Sequence, residues 1–139
     1  LDFFSSHIAP YPYTKLANVQ SKTMFGGMEN AGNIFYYENS VSDEKASSKN
    51  ESLVAHEIAH QWFGNSASEM DWQHVWLSEG FATYFTHLYN EFTYGRDKMT
   101  VDLREDRKTI INFYKEQALP IVFRQLPNEL LSVLNPNSY

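Results

Sequence analysis

The sequence has no cysteine, which excludes a disulfide-stabilised scaffold and any metal site built on thiolates. It has no excess of basic residues either, since 11 Lys and Arg stand against 17 Asp and Glu and the formal net charge is −6. Non-specific nucleic-acid binding needs a basic face that neutralises phosphates, so we expect no nucleic-acid partner. No apolar run approaches the roughly 20 residues that a bilayer-spanning helix needs, so we expect no membrane segment in this chain.

Internal repeats and heptads are also absent, which excludes solenoid and coiled-coil folds. The 139 residues, 42% of them hydrophobic, match the usual size of one folded domain rather than two. The chain begins at Leu1 instead of methionine and stops at Tyr139 in a proline-punctuated stretch. We therefore expect a single partial domain, residues 1–139, from a longer protein.

Three zones follow one another along the chain. Residues 1–46 are rich in aromatic residues, Gly, Asn and Pro, and we expect a small β part with short strands at residues 24–25 and 34–37. Residues 47–117 are predicted to be helical. Residues 118–139 contain three prolines, so we expect a winding connection with one helical turn near its end, at Glu129 to Val133.

Start and stop signals divide the helical zone into three helices. Ser48 and Glu51 have the spacing of a capping box, which predicts that the first helix begins just after Ser48. Apolar residues recurring every four positions extend it towards Gly64, where a glycine commonly ends a helix. A wide apolar stripe predicts a second helix that ends at Gly95. The third is predicted to run from there to Tyr114, with its apolar residues inward and its charges outward.

An HExxH pentapeptide occupies residues 56–60, inside the first predicted helix. Residues four apart share one helix face, so His56 and His60 can converge on one ion while Glu57 stays adjacent. This pattern supplies two imidazole ligands for zinc and a carboxylate base.

A third ligand is predicted at Glu79, near the start of the second predicted helix. Two histidines, one glutamate and a water are the ligand set of a catalytic zinc, whereas a structural zinc is closed by four protein ligands. The rival HExxHxxGxxH pattern fails, because Phe63 and Ser66 occupy the positions of its glycine and third histidine. The sequence thus favours a catalytic zinc site of the His-His-Glu type.

Three segments, in this order, resemble the M1 zinc aminopeptidases, a gluzincin group that includes leukotriene A4 hydrolase. Residues 26–30, Gly-Gly-Met-Glu-Asn, are similar to the family's GxMEN exopeptidase signature; residues 56–65 and 76–82 are similar to its two zinc-ligand segments. The resemblance covers essentially the whole chain. It implies a partial, thermolysin-like α+β zinc metallopeptidase catalytic domain, in which a small β part precedes the helices that carry HExxH and the third ligand. The remaining domains of the parent protein are then expected partners.

For catalysis, the resemblance implies one Zn²⁺ per chain, held by His56, His60 and Glu79, and hydrolysis of the amino-terminal peptide bond by metal-activated water. Glu57 would act as the general base and pass the proton to the leaving amine. Tyr139 lies where the family has a tyrosine whose phenol donates to the oxyanion.

For substrate binding, the resemblance implies a peptide with a free amino terminus. The carboxylate of Glu29 would bind the α-ammonium group and reject blocked or internal peptides. Backbone without side chains at the two glycines can pair with an extended peptide. The substrate-binding residues implied are Gly26, Gly27, Met28, Glu29 and Asn30.

Two other functions remain open at this point. Relatives of the leukotriene A4 hydrolase type share the Gly-Gly-Met-Glu-Asn segment and the zinc motif, so a bifunctional enzyme or a lipid epoxide hydrolase is one alternative. A non-catalytic zinc-binding scaffold is the other. Residues 26–30 also have a plain structural explanation, namely a glycine turn followed by a surface glutamate.

Overall fold

The computed structural model describes residues 1–41 and 48–139. The chain divides into two compact units, Leu1–Ala67 and Ser68–Tyr139. Among the described residues, no helix combines the length and apolar character that crossing a membrane requires.

The described residues of the first unit form a small sheet and three helices. Its elements, in chain order, are α1 (Asp2–His7), β1 (Ala17–Ser21), β2 (Gly27–Met28), β3 (Asn33–Tyr37), α2 (Glu38–Val41) and α3 (Ser48–Ala59). The strand order in the sheet is β1-β3-β2, with β1 parallel and β2 antiparallel to the central β3. This small sheet followed by helices is consistent with the predicted α+β class.

Strand β3 supplies much of the core of the first unit. Ile34 and Tyr36 are fully buried while the residues between and beside them are more accessible, which is the two-residue period of a strand with one covered face. Trp62 packs near Phe4 of α1, with ring centroids 6.1 Å apart, and its Nε1 donates to the carbonyl of Ala9 at 2.9 Å. These contacts anchor the chain just beyond α3 to the amino-terminal segment.

The strand predictions are confirmed in one place and wrong in another. Residues 34–37 lie in β3 as predicted. Residues 24–25 form a bend, and Met24 is 85% exposed, so no buried face holds this dipeptide in a sheet. Pairing starts at the glycines instead, where the Tyr37 N–H donates to the Gly26 carbonyl at 2.9 Å.

Helix α3 ends earlier than its glycine signal predicts. The His60 N–H still donates to the His56 carbonyl at 3.2 Å, but the Gln61 N–H donates to Ile58, three residues back, at 3.0 Å. This tighter last turn ends the regular helix at Ala59, and the second histidine of the motif lies just beyond it. The predicted border between residues 46 and 47 lies outside the described residues, as does the Ser48 side chain of the predicted capping box.

The second unit is built on two long helices. Its elements are a 3₁₀ turn (Trp72–His74), α4 (Trp76–Tyr94), α5 (Arg96–Glu116) and a second 3₁₀ turn (Leu130–Val133). Gly95 separates the helices as predicted, with a φ of 87° and an N–H that donates to the Glu91 carbonyl at 2.8 Å. The predicted helical turn in the proline-containing segment is also confirmed.

Helices α4 and α5 are joined by polar side chains. His87 Nε2 lies 2.6 Å from Asp106 Oδ2, and Asn90 donates to Asp102 at 3.0 Å. A later residue of α4 thus pairs with an earlier residue of α5, so the helices are antiparallel.

The apolar residues of α5 are not inward, contrary to the prediction. None of its residues is buried, and Ile110 and Ile111 are among its exposed apolar side chains. An apolar stripe identifies the face of a helix that favours burial, but it does not identify the element that would pack against that face.

Candidate functional site

The two histidines of the HExxH motif face each other at the end of α3. The Nε2 atoms of His56 and His60 lie 3.0 Å apart, and the two rings are nearly perpendicular, with centroids 4.6 Å apart. One turn of helix separates the two residues, which is why their side chains meet on one face. The sequence prediction that these imidazoles converge is therefore met within the first unit.

The orientation of the buried His60 ring is set by a backbone group. Its Nδ1 lies 2.9 Å from the carbonyl oxygen of Phe63. Because a carbonyl only accepts hydrogen bonds, Nδ1 is the donor, and in the neutral ring Nε2 is then the nitrogen that presents a lone pair towards His56. A histidine held by its far nitrogen in this way is typical of metal ligands.

The separation of the two Nε2 atoms is a test of whether one ion fits between them. In a tetrahedral zinc site with metal–nitrogen bonds of about 2.0–2.1 Å, two ligand nitrogens lie about 3.3 Å apart. The separation of 3.0 Å is close to this value. Neutral imidazole nitrogen is also a preferred zinc donor, so the pair fits a zinc ion.

Glu57 lies against strand β2 and is buried. A Cβ atom built on Gly27 would overlap the carboxyl group of Glu57, so the missing side chain at position 27 makes room for this carboxylate. The negative charge of Glu57 also acts on the phenol of Tyr36, in strand β3. Burial, and secondarily the negative charge of Glu57, raise the pKa of the Tyr36 phenol. The phenol is thus neutral and donates to Asn18 at 3.1 Å.

Glu29 follows β2, and its carboxylate lies close to His60 of the motif. Its Oε1 is 4.0 Å from Nδ1 of His60, and its side chain is 26% exposed. A partly exposed carboxylate can meet a ligand from solvent. The structure therefore brings four predicted residues, Glu29, His56, Glu57 and His60, into one part of the first unit.

The other residues of the predicted substrate segment, 26–28 and 30, differ in exposure and in their backbone contacts. Gly26 and Met28 are exposed, while Gly27 is half-buried beside α3. The Asn30 carbonyl accepts from the Asn33 N–H at 2.9 Å and closes a turn. Strand β2 pairs with β3 on one side, as its position at the end of the strand order requires.

Glu79 belongs to the second unit, in the first turn of α4, and is 8% exposed. Carboxylates are rarely buried to this degree unless a cation or hydrogen-bond donors compensate. Its neighbour Ser78 donates to the Val75 carbonyl at 2.9 Å and to Glu69 at 3.2 Å, which ties the start of the helix to the preceding segment. The ligand role of Glu79 stays a prediction.

Tyr139 is also in the second unit, where it is 48% exposed. Together with Thr83 of α4 and Ile110 of α5 it lines a cavity of about 300 Å³. Its predicted role as an oxyanion donor stays a prediction.

Gln61 and Asn65 have no part in the predicted zinc site, although both belong to the segment that resembles the M1 pattern. Gln61 is completely buried, and both side chains donate to the carbonyl oxygen of Glu29. The sequence offers no local signal for these contacts, because the two carboxamides meet a carbonyl 32 and 36 residues earlier in the chain.

Comparison with known proteins gives the family context of this arrangement. The model of the Peptidase family M1 domain matches residues 1–122. Aminopeptidase M1-B of Oryza sativa subsp. japonica is 39% identical over 122 residues, covering 76% of this chain and 14% of that protein. Aminopeptidase N of Homo sapiens is 40% identical over 96 residues, covering 63% of this chain and 10% of that protein. The chain thus spans a small part of the curated relatives it matches.

A solved structure matches over nearly all of the chain. The crystal structure of a mutant M1 zinc metallopeptidase from Deinococcus radiodurans superposes with a TM-score of 0.64 and 23% identity, covering 99% of this chain and 28% of that one. At this identity the match shows a common fold. Since the family model accounts for most of the residues, and relatives near 40% identity agree with it, the chain belongs to the M1 peptidase family.

Proposed function

We propose that this chain is part of the catalytic domain of a zinc-dependent aminopeptidase, which removes the amino-terminal residue from peptides. Family membership supports a peptidase. The observation that carries the narrower proposal is the 4.0 Å distance between the Glu29 carboxylate and the His60 imidazole. The α-nitrogen of a peptide and its first carbonyl carbon are separated by only two bonds. A carboxylate that binds the α-ammonium must therefore lie close to the metal ligands for the first peptide bond to be cleaved, and Glu29 lies beside one of them.

The proposed zinc ligands are His56, His60 and Glu79. The first two are supported by the facing Nε2 atoms, and the third by its place in the segment that resembles the M1 pattern. When bound, zinc supplies Lewis-acid chemistry that activates water and polarises the substrate carbonyl.

The protein's own residues have separate tasks in this proposal. Glu29 binds the substrate ammonium and sets which peptide bond is presented. Glu57 accepts the proton that the attacking water loses and delivers it to the leaving amine. Gly27 keeps the space in which the Glu57 carboxylate lies. Tyr139 donates a hydrogen bond to the oxyanion of the tetrahedral intermediate. The remaining domains of a longer parent protein, consistent with the 14% coverage of the rice relative, complete the enzyme.

The proposal is tested on the full-length protein that contains this chain, loaded with zinc. It is expected to hydrolyse an aminoacyl anilide with a free amine and to leave the N-acetylated anilide nearly untouched. A lipid epoxide is assayed in parallel. Turnover of the epoxide without turnover of the anilide would favour the leukotriene A4 hydrolase type of function, and stoichiometric zinc with no turnover of either would favour a scaffold.

Glu29→Gln removes the negative charge while keeping the size of the side chain. We expect kcat/KM for the free-amine anilide to fall by roughly 10- to 100-fold, because one charge-assisted hydrogen bond to the ammonium is lost. The N-acetylated anilide offers no cation, so its hydrolysis is expected to change little. Glu105→Gln, at a largely exposed position of α5, is the matched control. An unchanged ratio between the two substrates would remove the main support for an aminopeptidase.

Tyr139→Phe deletes only the phenolic hydroxyl group. If Tyr139 is the oxyanion donor, kcat is expected to drop by about two to three orders of magnitude while KM and zinc content stay nearly constant. The measurement is steady-state kinetics with metal analysis of the same sample, and Tyr114→Phe on the exposed face of α5 is the control. A parallel loss of zinc would instead indicate a structural tyrosine.

A further inference from the structure

Two side-chain amides hold the backbone of the residue proposed to bind the substrate ammonium. Nε2 of Gln61 donates to the carbonyl oxygen of Glu29 at 3.0 Å, and Nδ2 of Asn65 donates to the same oxygen at 2.6 Å. A carbonyl oxygen has two lone pairs, and these two donors use both. The carbonyl of Glu29 is therefore fixed from the side of α3.

The other end of the Gln61 amide reaches the turn that follows Glu29. The N–H of Gly32 donates to Oε1 of Gln61 at 2.8 Å. Gly32 has a φ of 70°, a value that favours glycine, and it belongs to the turn closed by Asn30 and Asn33. Reversing the amide would set its donor against a donor and its acceptor against an acceptor, so only one orientation satisfies both contacts. Gln61 thus bridges the backbone before the turn to the backbone inside it.

Both amides belong to residues that are directly linked to the proposed zinc ligand His60, one by a peptide bond and the other by a hydrogen bond. Gln61 follows it directly, and the Asn65 N–H donates to the His60 carbonyl at 3.1 Å. Gln61 is 0% exposed, and a buried amide that loses a partner is costly, so its contacts resist displacement. These two side chains thus tie the backbone of Glu29 to the segment that carries His60.

We infer that Gln61 and Asn65 are positioning residues that fix the distance between the ammonium-binding carboxylate and the metal-binding histidines. They act through the backbone of Glu29 and touch neither the ion nor the substrate. This inference rests on the proposed aminopeptidase function. The two amides then determine which peptide bond of the substrate lies at the metal. If the Glu29 carboxylate moves, the bound ammonium moves with it, and the first peptide bond no longer lies at the metal.

The test is a double-mutant cycle in the zinc-loaded full-length protein. Gln61→Met keeps the length of the side chain and removes both hydrogen bonds. In the wild-type background we expect kcat/KM for the free-amine anilide to fall by on the order of tenfold, mainly through KM. In the Glu29→Gln background the same substitution is expected to change kcat/KM by less than about twofold, because the carboxylate through which it acts is already absent.

Asn65→Ala is expected to behave in the same way, and Gln117→Met, on the surface after α5, is the matched control. Zinc content and the thermal midpoint are measured for each variant, and hydrogen exchange at residues 29–33 is expected to accelerate in Gln61→Met. A loss of equal size in both backgrounds would show a merely structural role and overturn the inference. A wild-type enzyme with no preference for the free amine would instead overturn the proposed function, before any variant is compared.

Discussion

Glu57→Gln is expected to keep its fold and its zinc while turnover falls by roughly two to four orders of magnitude. The amide has the shape of the carboxyl group and fits the space above Gly27, but it does not accept a proton from water at neutral pH. The loss is expected in kcat, since the proposed base acts in the chemical step.

The measurement is single-turnover kinetics of an aminoacyl anilide with the full-length protein at equal zinc content. Glu105→Gln serves as the control for replacing a carboxylate by an amide far from the motif in sequence. Activity near that of the wild type would contradict the role of Glu57 as general base. A loss of zinc in this variant would place Glu57 among the ligands instead.

His60→Ala is expected to abolish stoichiometric zinc binding, and with it hydrolysis. One of the two facing nitrogens disappears, and the remaining donors hold the ion too weakly to survive dialysis. Metal analysis after dialysis against a weak chelator measures this directly. Because His60 is buried, circular dichroism is recorded to show that the variant folds, and His60→Gln provides a second variant of similar bulk.

His74→Ala, in the 3₁₀ turn before α4, is the matched control and is expected to retain its zinc. Undiminished zinc in both His60 variants would refute the ligand assignment. Zinc loss in the His74 control as well would indicate that general destabilisation, rather than ligation, governs metal content.

Elements with strong local signals could be predicted from the sequence. The long helices α4 and α5 follow from apolar periodicity, and Gly95 ends the first of them because its positive φ suits glycine. Strand β3 follows from its run of apolar and aromatic residues.

Elements that depend on partners distant in sequence could not be predicted. Residues 18–20 of β1 are exposed and Val19 is the one large apolar residue of this strand, so its sequence gives little strand signal and its pairing with β3 holds it in place. The strand at Gly27–Met28 also lacks a sequence signal, because glycine is depleted in strands and Gly27 pairs here through its backbone alone.

In the candidate site, too, the local contacts could be predicted and the contacts between distant segments could not. Helix geometry alone predicts that His56 and His60 face each other, because residues four apart lie on the same face of a helix. The amides of Gln61 and Asn65, in contrast, meet a carbonyl 32 and 36 residues earlier in the chain. The fit of the Glu57 carboxylate over Gly27 likewise depends on how α3 packs on β2. Such contacts have no signature within a single segment.

The central claim is that the protein removes residues from the amino terminus of peptides with the help of zinc. Mass spectrometry of an unmodified peptide of about ten residues, incubated with the zinc-loaded full-length protein, tests it most directly. The expected result is a ladder of products shortened one residue at a time from the amino terminus, which a chelator or N-acetylation of the peptide abolishes. Cleavage at internal bonds, or equal cleavage of the acetylated peptide, would contradict it.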